Sequence, residues 1–291
     1  MFRIILVFGV LLIYLFCCPL TNTDAKLLGY WAFEDKNNLG KDSSPNRNHG
    51  ETKTFVGEAQ WTDKGKVKGA LQLPNGQETW LEVPHHESLN VKTGQITMMC
   101  WVKFTDPGAF TGFGEDGSLI WKNAPYAENK RFWTSYALRL YRPGISRGSF
   151  SFDANMTEAR AAAIDPDFPL VVDEWYHVAG VADGTKVRVY TNGKEKAVGD
   201  QRGEFQPSDD PLTIGFDLRD PDEPVARHFL GFVRGIMDEV VILDHALTAG
   251  QIQEAMDLGE RGRSLEAFQP VFGVELQGKL AVKWGEIKMA K

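Results

Sequence analysis

The chain has 291 residues, 43% of them hydrophobic, and a formal net charge of −7. That is enough apolar material for one large core, and all-β chains of this length are commonly single domains. The acidic balance excludes non-specific nucleic-acid binding, which needs a basic face.

The first residues read as a targeting segment. Arg3 precedes an apolar run over 4–18, and Thr23-Asp24-Ala25 supplies small residues where a signal peptidase cuts. Residues 1–25 are therefore expected to be a signal peptide cleaved near Ala25, leaving a secreted, cell-surface or periplasmic protein. The run falls short of the roughly 20 apolar residues that cross a bilayer. Cleavage is favoured on that ground, and a signal anchor is the alternative. Bulky residues before Cys17 and Cys18 argue against a lipoprotein. No other stretch is long and apolar enough to span, so no membrane contact is expected after cleavage. Cys100 is then the one remaining cysteine, placed in an apolar strand as a small buried hydrophobe.

Residues 26–34 read as the first strand, with Leu28, Tyr30 and Ala32 on one face and Trp31 and Phe33 on the other. A loop rich in Asp, Asn, Ser and Gly follows over 41–50. Short strands are expected at 70–73 and 80–83, and a long central one at 95–104. Further short ones fall at 119–122, 136–141 and 149–153. The clearest signal is residues 174–200, which alternate with period two and are interrupted by Asp183-Gly184 and Asn192-Gly193. Both dipeptides suit type I′ turns, so this stretch predicts a three-stranded antiparallel meander. Strands at 212–216 and 229–243 close the series. Thr248-Ala249-Gly250-Gln251 is a capping box, and Ile252, Ala255, Met256 and Gly259 recur at helical spacing behind it.

The expected fold class is all-β. It is a two-sheet antiparallel β-sandwich (jelly roll) over residues 26–262, with one short C-terminal helix. Residues 263–291 form a C-terminal extension. Within it, 273–288 alternates in the manner of a strand.

The ordered pieces Gly29-Tyr30-Trp31-Ala32-Phe33, Asp42 to Gly50, Gly69 to Leu73, Glu174 to Gly180 and Gly235-Ile236-Met237-Asp238-Glu239-Val240 resemble the concanavalin A-like lectin/glucanase superfamily. Within it the resemblance is to the bacterial laminin G-like jelly-roll domains. It extends over about residues 27–258 and implies a structural Ca2+ tying the first loop to the last long strand. Asp42 and Asp238 stand at the matching carboxylate positions, with oxygens near Asn46, Asn48 and His49 completing the shell. The alternative is that Asp42 caps a turn and Asp238 pairs with Arg234 or a lysine.

Some relatives of this fold hydrolyse glycans with paired carboxylates in a Glu-x-Asp-x-x-Glu strand. The chain lacks that pattern. Glu115-Asp116 lies in a Gly-rich loop, Asp238 and Glu239 are adjacent and face opposite sides, and Glu174 stands at a strand start. His85-His86 reads as a solvated turn and His177 as a packed core residue. The expectation is therefore an exported non-catalytic binding module for a glycan or an extracellular protein. A glycan-processing enzyme of the superfamily is the alternative. Phe110, Phe113 and Tyr126, in a glycine-rich segment, are the candidate ligand-binding aromatics. Trp121, Trp133 and Tyr136 are assigned to the core.

Overall fold

The computed structural model describes residues 26–106, 117–123, 134–141, 149–165, 171–217 and 231–268. Residues 1–25, expected to be a signal peptide, the tail from 269, and Phe110, Phe113, Tyr126, Glu115 and Trp133 lie outside the described residues.

The described strands are β1 (Leu27–Trp31), β2 (Glu51–Val56), β3 (Gln60–Thr62), β4 (Ala70–Leu73), β5 (Glu78–Val83), β6 (Gln95–Phe104), β7 (Ser118–Asn123), β8 (Thr134–Tyr141), β9 (Ser149–Asn155), β10 (Arg160–Ile164), β11 (Trp175–Asp183), β12 (Lys186–Thr191), β13 (Lys194–Asp200), β14 (Leu212–Ile214) and β15 (Gly235–Leu243). One helix, α1 (Ala249–Glu260), follows. The strands form two antiparallel sheets. An eight-stranded sheet runs β13-β12-β11-β6-β15-β4-β3, with β1 also on β15, and a seven-stranded sheet runs β10-β9-β8-β7-β14-β5-β2.

Register decides which side chains meet between the sheets. Across the seven-stranded sheet, Leu81, Ile214, Ile120, Leu138, Phe152 and Ala163 stand directly opposite one another from strand to strand. All belong to the main core cluster. From the other sheet, Gly180 on β11 lies against them: a Cβ there would sit 2.5 Å from the Phe152 ring. The glycine is what lets the phenyl ring reach the facing sheet.

The eight-stranded sheet has a second apolar layer on its outer side. Tyr30, Met99, Ala179, Tyr190 and Val241 pack there against Leu247, Ile252, Ala255 and Leu258 around α1, and against Leu265 and Phe268. Helix α1 begins at a complete capping box between Thr248 and Gln251, as its sequence predicts. Leu265 and Phe268, within the segment assigned to the C-terminal extension, are 3% and 1% exposed and form part of this layer.

Three local features depart from the sequence reading. A register shift between Leu27 and Gly29 turns Leu28 into the main core with Trp31 and Phe33, away from Tyr30 and Ala32. The meander forms as three strands, and its Asn192-Gly193 turn has both residues left-handed, at φ 48° and 73°. In the other turn only Gly184 is left-handed, at φ 93°. Asp183 instead braces that turn with its carboxylate, which accepts from Thr185 N, Thr185 Oγ1 and Lys186 N. The third departure is that β2, β3 and β10 carry no signal in the sequence. β2 is solvent-facing along its length and so shows no apolar alternation. β3 is three residues long, and β10 is Arg-Ala-Ala-Ala-Ile, poor in strand-forming side chains.

Candidate functional site

The face of the seven-stranded sheet that looks away from the core differs from its counterpart under α1. Its central row runs Glu51, Glu82, Thr213, Trp121, Ala137, Asp153 and Ala162, one residue per strand. Each is offset by one from the core row, so the same alternation that fills the interior projects these residues outward. Trp121 therefore lies on this face, not in the core between the sheets, because Ile120 occupies the inward position. Tyr136 is in the core, with its hydroxyl donating to Leu89 O at 2.8 Å.

The β8–β9 side of the face is polar and buried. The Arg139 guanidinium stands 5.8 Å from the Trp121 ring centroid. Asp153 accepts from Ser151 Oγ at 2.9 Å and pairs with Arg160. The β2 side is aromatic and partly open. Phe216 and Phe232 stack at 4.5 Å, Trp80 lies 4.6 Å from Phe216, and Phe55 lies 5.0 Å from Trp80. Phe55 is 41% exposed. Beside it Lys53 and Glu51 form an exposed ion pair at 3.0 Å, and Trp80 Nε1 donates to Glu82 at 3.4 Å. Glu82 and Asp153 sit four strand spacings apart, about 19 Å at ordinary sheet geometry. That is too far for the two to share a glycosidic bond as acid and nucleophile.

The residues expected to ligate calcium fall into two networks. In the first, both oxygens of Asp42 accept hydrogen bonds, from Tyr30 N, Ser44 N, Ser44 Oγ and Asn48 N at 2.7–2.8 Å. Asn46 Nδ2 donates to Leu27 O and Leu28 O, and Asn48 Nδ2 donates to Leu28 O. These three residues lash the first loop to β1, and His49 Nδ1 accepts from Asp42 N at 3.0 Å. Asp42 thus organises the turn.

Asp238 belongs to the second network. It sits where β15 passes from β4 to β1 as neighbour, with a register shift after it and Glu239 left-handed at φ 51°. The bulge turns Asp238 and Glu239 both into buried positions. Asp238 accepts from Val67 N and Glu239 N at 2.8 Å. Burial, with Glu239 and Glu34 nearby, holds its carboxyl well above the usual range. Arg234 is not its partner; it pairs with Asp106 at 3.6 Å. Burial also pushes Glu239 up to about 7, although Leu265 N and the Tyr30 hydroxyl donate to it. Beside Asp238, a side-chain carbon on Gly65 would stand 2.6, 2.7 and 2.9 Å from Gly69 O, Lys68 O and Asp238 Oδ2. Three oxygens therefore converge on one small space. Glu34, the further carboxylate beside Asp238, carried no signal that singled it out in the sequence.

His85 and His86 take separate partners. His85 Nε2 lies 3.5 Å from Asp209, and His86 Nδ1 accepts from Ser88 N at the start of a short 3-10 turn. His177 is packed at 1% exposure beneath α1, its ring 5.2 Å from that of Trp101 and its Nδ1 without a partner. Burial and the nearby Lys66 push it down to about 3. Glu174 accepts from the Tyr176 hydroxyl at 3.3 Å.

Two stacked antiparallel sheets with, among the described residues, a single short α-helix define a jelly-roll β-sandwich. The family model described as the concanavalin A-like lectin/glucanases superfamily matches residues 75–253, and the chain belongs to that superfamily. No curated protein matches the sequence. Among solved structures, it is similar to domain 4 of AbnA, a GH43 extracellular arabinanase from Geobacillus stearothermophilus, in complex with arabinotriose. That likeness has a TM-score of 0.58 at 20% identity and covers 79% of this chain and 98% of the other. It is also similar to the binding domain of Paraclostridial Mosquitocidal Protein 1 (TM-score 0.54, 13% identity, 79% and 52% covered). A third is the botulinum neurotoxin serotype D binding domain (TM-score 0.53, 14% identity, 80% and 51% covered). The chain thus spans about half of each toxin domain. At these identities the likeness establishes the fold. Among the described residues no helix is long and apolar enough to cross a membrane.

Proposed function

We propose that the protein is an exported, non-catalytic carbohydrate-binding module, and that it binds through the β2 side of the outer face of the seven-stranded sheet. The observation that carries this reading is the Phe55 platform. An exposed ring rests on three further aromatic rings, flanked by Glu51, Lys53 and Glu82, on the sheet face that α1 does not cover. A sugar ring stacks its C–H face on such a platform while its hydroxyls meet charged acceptors and donors at the edge. The neighbouring arabinanase domain, solved with arabinotriose, supports the same class of ligand. A glycan array probed with the protein from residue 26, repeated with Phe55→Ala, tests it. Binding that falls at least tenfold, about 1.4 kcal/mol, with the melting temperature unchanged is the expected result. No glycan bound, or equal binding by Phe55→Ala, refutes it.

A structural calcium is part of the proposal. The donor set that suits a hard cation is Asp238, Glu34 and the carbonyls at Lys68 and Gly69: oxygen only, and short of positive charge. Asp42, Asn46 and Asn48 already serve β1 and the loop, so they hold the neighbouring turn in place. When bound, the ion neutralises buried carboxylate charge. Calcium is expected to raise the melting temperature by several degrees, chelator to reverse this, and Asp238→Asn to abolish the response. Identical curves with calcium and with chelator, together with metal-free elemental analysis, refute it.

A further inference from the structure

A cleft of about 490 Å³ opens at the end of β1, between the loop after that strand, the edge strand β3 and the 3-10 turn at Glu266. It shares no residue with the Phe55 platform. We propose that this cleft is a second, independent ligand site, and that it takes a neutral polyhydroxylated ring, a single sugar unit.

The cleft is a built feature. Its aromatic wall is Trp61, half-buried, with its indole N–H donating to Phe33 O at 3.0 Å. That bond fixes the ring plane. The indole comes so close to the backbone that a side-chain carbon on Gly69 would lie 2.6 Å from Trp61 Nε1 and 2.8 Å from Phe33 O. Phe33 adopts a left-handed conformation at φ 54°, costly for a bulky side chain. Its ring is 2% exposed in the main core, so packing on one side holds the strained backbone that presents the carbonyl to Trp61 on the other. Nothing in strand pairing requires this arrangement, because β1 has already ended at Trp31.

The polar rim selects the ligand. Lys36 and Lys41, with the carboxylates Asp35 and Glu266 and the amide of Asn38, line the cleft. Glu34 lies on the side that leads to Asp238. Asp35 and Lys41 stand 3.9 Å apart, too far for a tight pair. A monovalent anion would meet the carboxylates and a monovalent cation the ammoniums. A hydroxyl both donates and accepts. Neighbouring hydroxyls on a sugar can therefore use an ammonium and a carboxylate together while the ring lies on the indole. The volume falls in the range of small-molecule sites. With the Phe55 platform the protein would then hold a polysaccharide at two points, and avidity would exceed the affinity of either.

The test is a titration of ¹⁵N-labelled protein with L-arabinose, D-galactose and D-glucose, and with choline and glucuronate as charged probes, following the Trp61 indole N–H resonance. At least one neutral sugar is expected to shift that resonance saturably. Asp35→Asn and Lys41→Ala, both on the exposed rim, should each weaken the binding fivefold or more without lowering the melting temperature. Phe55→Ala should leave it unchanged, which separates this site from the platform. Three results overturn the proposal: no sugar shifts the resonance, choline or glucuronate binds more tightly than every neutral sugar, or Phe55→Ala abolishes the shift.

Discussion

Replacing His177 by Phe should remove a large part of the acid sensitivity of the fold. The imidazole is buried under α1 with Nδ1 unpartnered, and its proton affinity is depressed to about 3 by burial first and Lys66 second. In the unfolded chain it titrates near 6.5. The folded state therefore refuses a proton that the unfolded state accepts. The stability due to neutral His177 is intact above pH 6.5 and is lost as pH falls from there toward 3. Between pH 7.5 and pH 5 the loss works out at about 2 kcal/mol, from 1.36 kcal/mol per unit of difference. Asp238 and Glu239 act in the opposite sense. Their raised pKa values mean that acid relieves buried charge, so the wild-type profile is a difference of the two effects. The variant isolates the histidine term. Urea titrations of wild type and His177→Phe at pH 7.5, 6 and 5, in chelator, should show the gap between them changing by about 2 kcal/mol in favour of the variant at pH 5. Phe keeps a ring against Trp101, so the comparison is not dominated by a cavity. A gap independent of pH would mean that His177 is hydrated or paired, and the reasoning would fail.

Gly180→Ala should cost about 1–3 kcal/mol by driving a methyl into Phe152, and Phe152→Leu in the same chain should recover part of it in chemical denaturation. Asp42→Ala should cost about 1–3 kcal/mol through the buried N–H groups it leaves unpaired, yet keep the calcium response that Asp238→Asn removes, read from melting curves with calcium and chelator. Thr248→Ala should lower stability by about 1 kcal/mol through loss of the cap on α1, seen as a reduced denaturation midpoint.

The strands with one buried and one wetted side were legible because period two is written directly into them. Gln95–Phe104 and the Trp175–Asp200 meander stand where their patterns place them, and α1 begins at its capping box. β2 was invisible because an exposed edge leaves no apolar trace. The sites were harder to read. Asp42 and Asp238 are both buried aspartates, and only the hydrogen bonds show that one is saturated by donors while the other faces further acid. Trp121 looked like a core residue because burial and position between the sheets are different properties. No one-dimensional pattern ties Phe55 to Trp80, Phe216 and Phe232, since their contact depends on strands distant in sequence. Phe33 and Trp61 likewise meet only through a strained carbonyl.

The position of β15 bears on how the molecule is made. This strand, Gly235–Leu243, lies between β6 on one edge and β4 and β1 on the other. Tyr30 pairs with Val241 and Trp31 with Val240, so the first strand of the fold is completed by one of the last. While the chain is still emerging, β1, β4 and β6 have no strand to join them, and the eight-stranded sheet remains three separate pieces with open edges: β13-β12-β11-β6, β4-β3 and β1. Pairing over such a separation is slow and leaves edges available for aggregation. Synthesis interrupted before residue 235 would yield a chain that cannot assemble this sheet, whatever the quality of the strands already made. The first strand of the fold therefore docks only when nearly all of the chain is present.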